Sequence, residues 1–330
     1  MPVLPNPSLT QIAMCVADLP RTVRFYCDAL GFLNAGGRVF WGPGLARILG
    51  LGEDAQCTIW WAVGRQDFLQ LEFFHHTLPK QNRRRTDWRP SDLGYVRWGL
   101  AVSDFDATIE RAAGFDVHPL TAPVTVDGLR RVCLRDFDGM ILEVFEDGDA
   151  LPGGRRQIFR EAGASVVYAT ISVADLDKAC GLYVDTLGMT EAAGVTLHTP
   201  DSEALWGLPG ARSRSRLLRA GDGLFEVVQY EDPAPRRRED GCLPSDQGFL
   251  NVAVGFRERE RFDEMLGRAE AAGYVPNVPV APGAGFGATY LQDGMGQTIE
   301  MFGCPREYDA LLGFEPEVDH RGRRASGGLR

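Results

Sequence analysis

At 330 residues the chain is long enough for two domains, and its 44% hydrophobic and 24% charged residues exclude disordered, collagen-like and coiled-coil classes. Its formal charge of −10 argues against a nucleic-acid partner, because counterion-release binding needs a basic face. Glycine (39) and proline (20) are abundant enough to favour many short strands over long helices.

Met1 to Ser8 carry neither a basic nor an apolar stretch, and no apolar run anywhere reaches 18 residues, so neither secretion nor a membrane partner is expected. From Gln11 the chain alternates, with Ile12, Met14 and Val16 on one face and Gln11, Ala13 and Cys15 on the other, which predicts a strand. A helix is expected next. Asp18 is placed to cap it, Val23, Tyr26 and Leu30 recur at helical spacing, and Gly31 offers the left-handed residue that stops it. Short runs bounded by turn residues follow, such as Cys57 to Val63 and Phe68 to Phe74, so the plan is a strand, a helix and three strands. Segments 77–92, 148–163 and 232–248 are rich in Pro, Arg and Asp and read as linkers. The clusters Arg83 to Arg85, Arg236 to Arg238 and Arg321 to Arg324 read as solvated loop charge. The 7 cysteines form no C-x-x-C and lie mostly in apolar runs, as reduced thiols of a cytoplasmic protein do. No G-x-G-x-x-G after a strand and no P-loop occurs, so no nucleotide or flavin cofactor is expected.

The plan then repeats. QIAMCVADLPRTVRFYCDALGF from Gln11 matches YATISVADLDKACGLYVDTLGM from Tyr168, which pairs Asp18 with Asp175 and Gly31 with Gly188. Glu72 in FLQLEFF matches Glu226 in LFEVV, and a fainter repeat sets Glu143 in MILEVF against Glu300 in TIEMF. Four βαβββ modules of an α+β protein are expected, at about 9–76, 93–147, 165–231 and 247–303. They fall in two halves, 1–150 and 151–310, with 311–330 expected as a disordered tail. Each of the four glutamates interrupts an apolar strand, where an unpaired carboxylate would cost several kcal/mol or titrate neutral. A cation, an arginine or a ligand donor is expected beside each.

The βαβββ order, the V-A-D-L helix start, the F-Y…L-G-[FM] helix end and the glutamate of the last strand resemble the vicinal oxygen chelate superfamily over about residues 9–303. That superfamily includes glyoxalase I, extradiol dioxygenases, methylmalonyl-CoA epimerase and the bleomycin and fosfomycin resistance proteins. The resemblance implies two tandem domains, each a cupped eight-stranded half-barrel sheet made by two modules, with helices outside and the ligand on the concave side. It also implies one divalent metal ion (Fe, Mn, Zn, Ni or Mg) and a small-molecule substrate, and leaves a homodimer open.

Carried to this sequence, the family's ligand positions are Gln11 and Glu72, Arg97 and Glu143, Tyr168 and Glu226, and Asn251 and Glu300. No histidine stands at any of them, which weighs against the 2-His-1-carboxylate chemistry of extradiol dioxygenases, and Arg97 cannot be a ligand. If sequential modules pair, as short linkers favour, Gln11, Glu72, Arg97 and Glu143 share one site, where Arg97 neutralises carboxylates or, with Glu143, contacts substrate. Tyr168, Glu226, Asn251 and Glu300 then share the other, which has no built-in cation. That second cup, residues 165–303, is therefore the expected active one, with Glu226, Asn251 and Glu300 as metal ligands, the glutamates also as bases and Tyr168 as a proton donor. If module one instead pairs with module four, Gln11, Glu72, Asn251 and Glu300 form an all-oxygen cage suited to a hard divalent cation. His76 is a further acid or base candidate, because positions 72, 74 and 76 share one strand face. Two functions follow. One is a lyase, isomerase or oxygenase acting on an oxygenated, aromatic or polyketide-like substrate; the other is a metal-free protein that binds or sequesters such a ligand.

Overall fold

A computed structural model describes residues 7–85, 87–126, 128–148, 151, 157–193, 197–280, 286–292 and 298–318. Module one runs β1 (Ser8–Cys15), α1 (Leu19–Arg24), β2 (Leu33–Trp41), α2 (Pro43–Leu49), β3 (Gln56–Val63) and β4 (Gln70–Leu78). Module two runs β5 (Gly94–Val102), α3 (Phe105–Ala113), β6 (Val124–Val126), β7 (Leu129–Arg135) and β8 (Ile141–Glu146). Module three is β9 (Ala164–Ser172), α4 (Leu176–Cys180), β10 (Thr190–Glu191), α5 (Pro200–Leu205), β11 (Arg212–Ala220) and β12 (Gly223–Asp232). Module four is β13 (Gly248–Phe256), α6 (Arg259–Ala271), β14 (Gly287–Gln292) and β15 (Thr298–Gly303).

The expected helix signals act as read. Asp18, Asp104 and Asp175 each accept a hydrogen bond from the backbone amide three residues on, satisfying a donor that the helix leaves free. Glu258 occupies the same position in module four without a side-chain cap bond. Past α1 and α4 the chain continues as π-helical turns, Phe25–Ala29 and Gly181–Thr186, and then reaches Gly31 (φ +91°) and Gly188 (φ +74°). Helices α2 and α5 were not expected, although each starts on a proline and α2 stops at left-handed Gly50.

Two mixed sheets result, ordered β14-β15-β13-β1-β4-β3-β2 and β10-β11-β12-β9-β5-β8-β7-β6. Each is thus made by two modules, but the sequential pairing expected from short linkers is not what forms. Module one pairs with module four through antiparallel β1 and β13, and module two with module three through β5 and β9. The short-connection rule holds only in the middle of the chain. Linkers 77–92 and 232–248 instead cross between the sheets side by side, tied by Arg236 to Asp92 at 2.6 Å and by Gln247 N to Asn82 O at 3.0 Å. Part of the charge read as solvated is therefore used in linker-to-linker ion pairs; Arg321 to Arg324 lie outside the described residues.

Alternation sets the layers. Ile12, Met14 and Val16 pack with the helices in one core shared by all four modules, while Ala13 and Cys15 face the concave side of the first sheet with Trp61, Phe74 and Tyr290. The tail expected to be disordered from 311 is folded as far as 318. Phe314 is buried against Phe68 and Phe302, and Glu317 N donates to Asn34 O at 2.8 Å. No helix among the described residues is long and apolar enough to cross a membrane.

Candidate active site in the first cup

The register repeats one arrangement four times. Each last-strand glutamate lies beside a small first-strand residue or a threonine: Ala13 beside Glu72, Gly99 beside Glu143, Thr170 beside Glu226 and Ala253 beside Glu300. Two residues earlier on each first strand stand Gln11, Arg97, Tyr168 and Asn251, on the same face by the two-residue period. Pairing one with four and two with three therefore sorts the eight residues into two cups.

The first cup gathers Gln11, Glu72, Asn251 and Glu300. Gln11, Glu72 and Glu300 line a cavity of about 430 Å³ whose walls are otherwise mostly apolar, including Ile59, Phe74, Phe302 and Leu312, and none of the described residues lining it is basic. Trp41 and Phe286, 70% and 42% exposed, stand at its opening. The Trp61 indole donates to Glu72 Oε1 at 2.8 Å, and Asn251 Nδ2 donates to Glu300 Oε2 at 2.9 Å. Tyr290 also hydrogen-bonds Glu300 and lies 3.4 Å from Asn251 Oδ1. Burial, reinforced by the charge of Glu300, pushes the Glu72 carboxyl up to about 8; burial pushes Glu300 up to about 7 against the donors that favour its charge. The two carboxyls titrate as a pair and hold a proton near neutrality. Gln11 Oε1 is buried without a partner among the described residues, as is the Gln70 amide, in register with Gln11 on β4.

His76 lies on the Glu72 face of β4 but outside the cavity lining, stacked on Phe74 with ring centroids 6.0 Å apart. Burial pushes it down to about 4, so it is neutral at physiological pH.

The second cup holds Arg97, Glu143, Tyr168 and Glu226, and they are tied to one another and to their neighbours by ion pairs and hydrogen bonds. Arg97 ion-pairs with Glu226 at 2.5 Å, and Thr170 Oγ1 donates to the same oxygen at 2.8 Å. Helix α5 and the residues flanking it insert His198, Glu203 and Trp206. His198 Nε2 lies 2.9 Å from Glu226 Oε1 and its Nδ1 2.5 Å from Glu203, while the Trp206 ring covers Arg97 at 3.6 Å. Burial opposes charge on His198, but the flanking glutamates outweigh it and raise its pKa. Burial would raise Glu226, yet His198 and Arg97 hold it down at about 2. Glu143 pairs with Arg131 at 2.5 Å and accepts from Trp206 Nε1 at 3.1 Å and from the Tyr168 hydroxyl. A side chain at Gly99 would strike the Tyr168 ring at 2.3 Å, so the glycine opens the path that Tyr168 takes to Glu143.

The expectation that residues 165–303 form the active cup is therefore corrected. Those residues are split between two sheets, and Tyr168 and Glu226 have their donors and charge used internally. Arg97 neutralises Glu226 rather than Glu143. His198, Arg131, Glu203 and Tyr290 were not among the sequence candidates; the Thr199-Pro200 helix start was the available signal for the α5 insertion.

Residues 8–144 match the family model described as the Glyoxalase/Bleomycin resistance protein/Dioxygenase superfamily, and the later modules repeat the same order of elements. A variant of glyoxalase I from Zea mays superposes with a TM-score of 0.62 at 14% identity, covering 94% of this chain and 97% of its own. A Bacillus subtilis protein described as a dioxygenase candidate gives 0.62 at 15% identity, covering 98% and 91%. At such identities the likeness is one of fold. No curated protein matches the chain.

Proposed function

We propose that the first cup is the active site of a metal-dependent enzyme of the vicinal oxygen chelate type, acting on a small, largely apolar, oxygenated molecule. One observation carries the reading: Glu72 and Glu300 face one largely apolar cavity with no basic side chain among the described residues that line it. Among the described residues no three His, Cys, Asp or Glu side chains cluster as a metal site, so a ligand set must include amide oxygens. Gln11 Oε1, free of any described partner, and Asn251 Oδ1 complete an all-oxygen set that fits a hard divalent cation. Bound there, the ion would supply Lewis-acid polarisation of a substrate carbonyl or enolate oxygen.

The chain's own groups supply the rest. Trp61 fixes Glu72, and Asn251 and Tyr290 fix Glu300, so each carboxylate is oriented by a donor. A carboxyl pair poised between about 7 and 8 can take or give a proton at physiological pH, which suits proton abstraction beside a carbonyl. The apolar walls exclude water and bind an aromatic or aliphatic body. Lyase, isomerase and oxygenase reactions all fit this set, and Glu72 or Glu300 is the base in each.

Elemental analysis of protein purified without chelator tests the reading. The expected result is a divalent ion in the wild type that is lost in Glu72→Gln and Glu300→Gln. Metal-free protein that still takes apolar ligands into the cup would support the sequestering role, for which the cavity walls are equally suited.

A further inference from the structure

The two crossover linkers enclose a second cavity, of about 190 Å³, lined by six arginines (83 to 85 and 236 to 238) and four acids (Asp92, Glu239, Asp240 and Asp246). The charges are not mutually cancelled. Arg236 and Arg89 saturate Asp92, Arg85 pairs with Asp87 and with Glu239 at 3.1 Å, and Asp246 accepts the Asn82 amide and Leu243 N. Arg84 is left over. Its guanidinium stacks on Trp88 at 3.6 Å, and its hydrogen bond is to a soft acceptor, Met140 Sδ, at 3.4 Å. Among the described residues it has no carboxylate within ion-pair distance. Arg238, which donates to Phe249 O, makes no ion pair there either.

A guanidinium carries five donors and cannot shed its charge in ordinary conditions, so a half-buried one served by one sulfur and one ring face lacks its natural partner. Its neighbours sharpen the point. Burial disfavours the charge of Arg84, and Arg238 and Arg135 repel it further, while Asp136 and Asp92 only partly compensate. An oxyanion between Arg84 and Arg238 would accept from both forks and relieve that repulsion.

We propose that the linker cavity is a binding site for a phosphate group, held by Arg84 and Arg238 with Arg83 and Arg237 at its rim. The site lies where both crossovers pack together, Leu93 N donating to Arg236 O at 2.9 Å, and it adjoins the 244–246 turn, whose Pro244 O accepts from Cys15 on the concave face of the first cup. Phosphate there clamps the two linkers that hold one cup to the other, so its binding appears as stabilisation of the whole chain.

The test is thermal unfolding of the intact chain with inorganic phosphate, with glycerol 1-phosphate, and with chloride at matched ionic strength. The expected result is a rise in Tm with phosphate that chloride does not reproduce, with apparent affinity falling about tenfold in Arg84→Met and in Arg238→Ala. A response to glycerol 1-phosphate as well identifies a phosphate ester as an accepted source; a response to inorganic phosphate alone identifies the free ion. Arg238 is exposed, so Arg238→Ala keeps the test valid should Arg84→Met fail to fold. Equal shifts in wild type and Arg238→Ala, or an equal shift with chloride, overturn the proposal.

Discussion

The two cups begin from the same register of four inward positions and end in opposite states. In the second, Glu226 and Glu143 each meet a guanidinium: Arg97 at Glu226 and Arg131 at Glu143. Helix α5 and its flanks bring His198 against Glu226, and Trp206 against Arg97 and Glu143. In the first, two carboxyls share an apolar cavity, and their repulsion is answered by a proton at neutral pH. Duplication has left one cup whose carboxylates face guanidinium groups and one whose carboxyls face each other. The difference teaches that a retained glutamate is not by itself a sign of chemistry; the presence or absence of a counter-charge on the neighbouring strand decides.

The largest expected effect is at the filled cup. Arg97→Met strips Glu226 of its fully buried ion-pair partner and should destabilise the chain by about 3–5 kcal/mol, read from urea unfolding, while metal content of the first cup is unchanged. An unaltered midpoint would show that His198 alone suffices for Glu226.

Next in size is the ligand set. Glu72→Gln should weaken divalent-ion binding by about hundredfold or more, measured by titration calorimetry, with folding intact because a neutral side chain suits the burial better than a carboxylate. Glu226→Gln should leave that affinity within about threefold. Equal losses in both variants would erase the distinction between the cups.

A pH effect follows in the chelated protein. Glu72 and Glu300 have folded pKa values of about 8 and 7, above those of an exposed carboxyl, so the folded state binds more protons than the unfolded. The contribution of this pair to stability is fully present below about pH 4.5, falls as pH rises, and is lost through the folded values. Raised His198 adds a loss of the same sign. Glu72→Gln retains the His198 contribution and removes its own, and should gain stability over wild type as pH rises from 5 to 8.5, the two curves drawing together towards pH 5. Parallel curves would contradict the shared-proton state. The smallest effect is Trp206→Phe, which deletes the indole donor to Glu143 and should cost about 1 kcal/mol of stability without altering ion binding.

Much of the fold was legible in the residues. The repeat, the acid-capped helices, the glycine stops and the alternation of β1 all follow from local rules that tertiary context did not override. Module pairing was not legible, because the linkers are long enough for either arrangement and the ion pairs that lay them side by side, such as Arg236 with Asp92, join residues far apart in sequence. The set Gln11, Glu72, Asn251 and Glu300 could be written down only as one of two options. The partners in the second cup were hidden for a related reason: His198 and Arg131 come from a loop and an edge-proximal strand, and only the folded register shows that they meet Glu226 and Glu143.

The central claim is that the first cup binds the metal and the second does not, and a crystal of the intact chain soaked in Mn²⁺ and measured for anomalous scattering locates the ion directly. A single strong peak among Gln11, Glu72, Asn251 and Glu300 is the predicted result; a peak between Glu143 and Glu226, with none in the first cup, would contradict it.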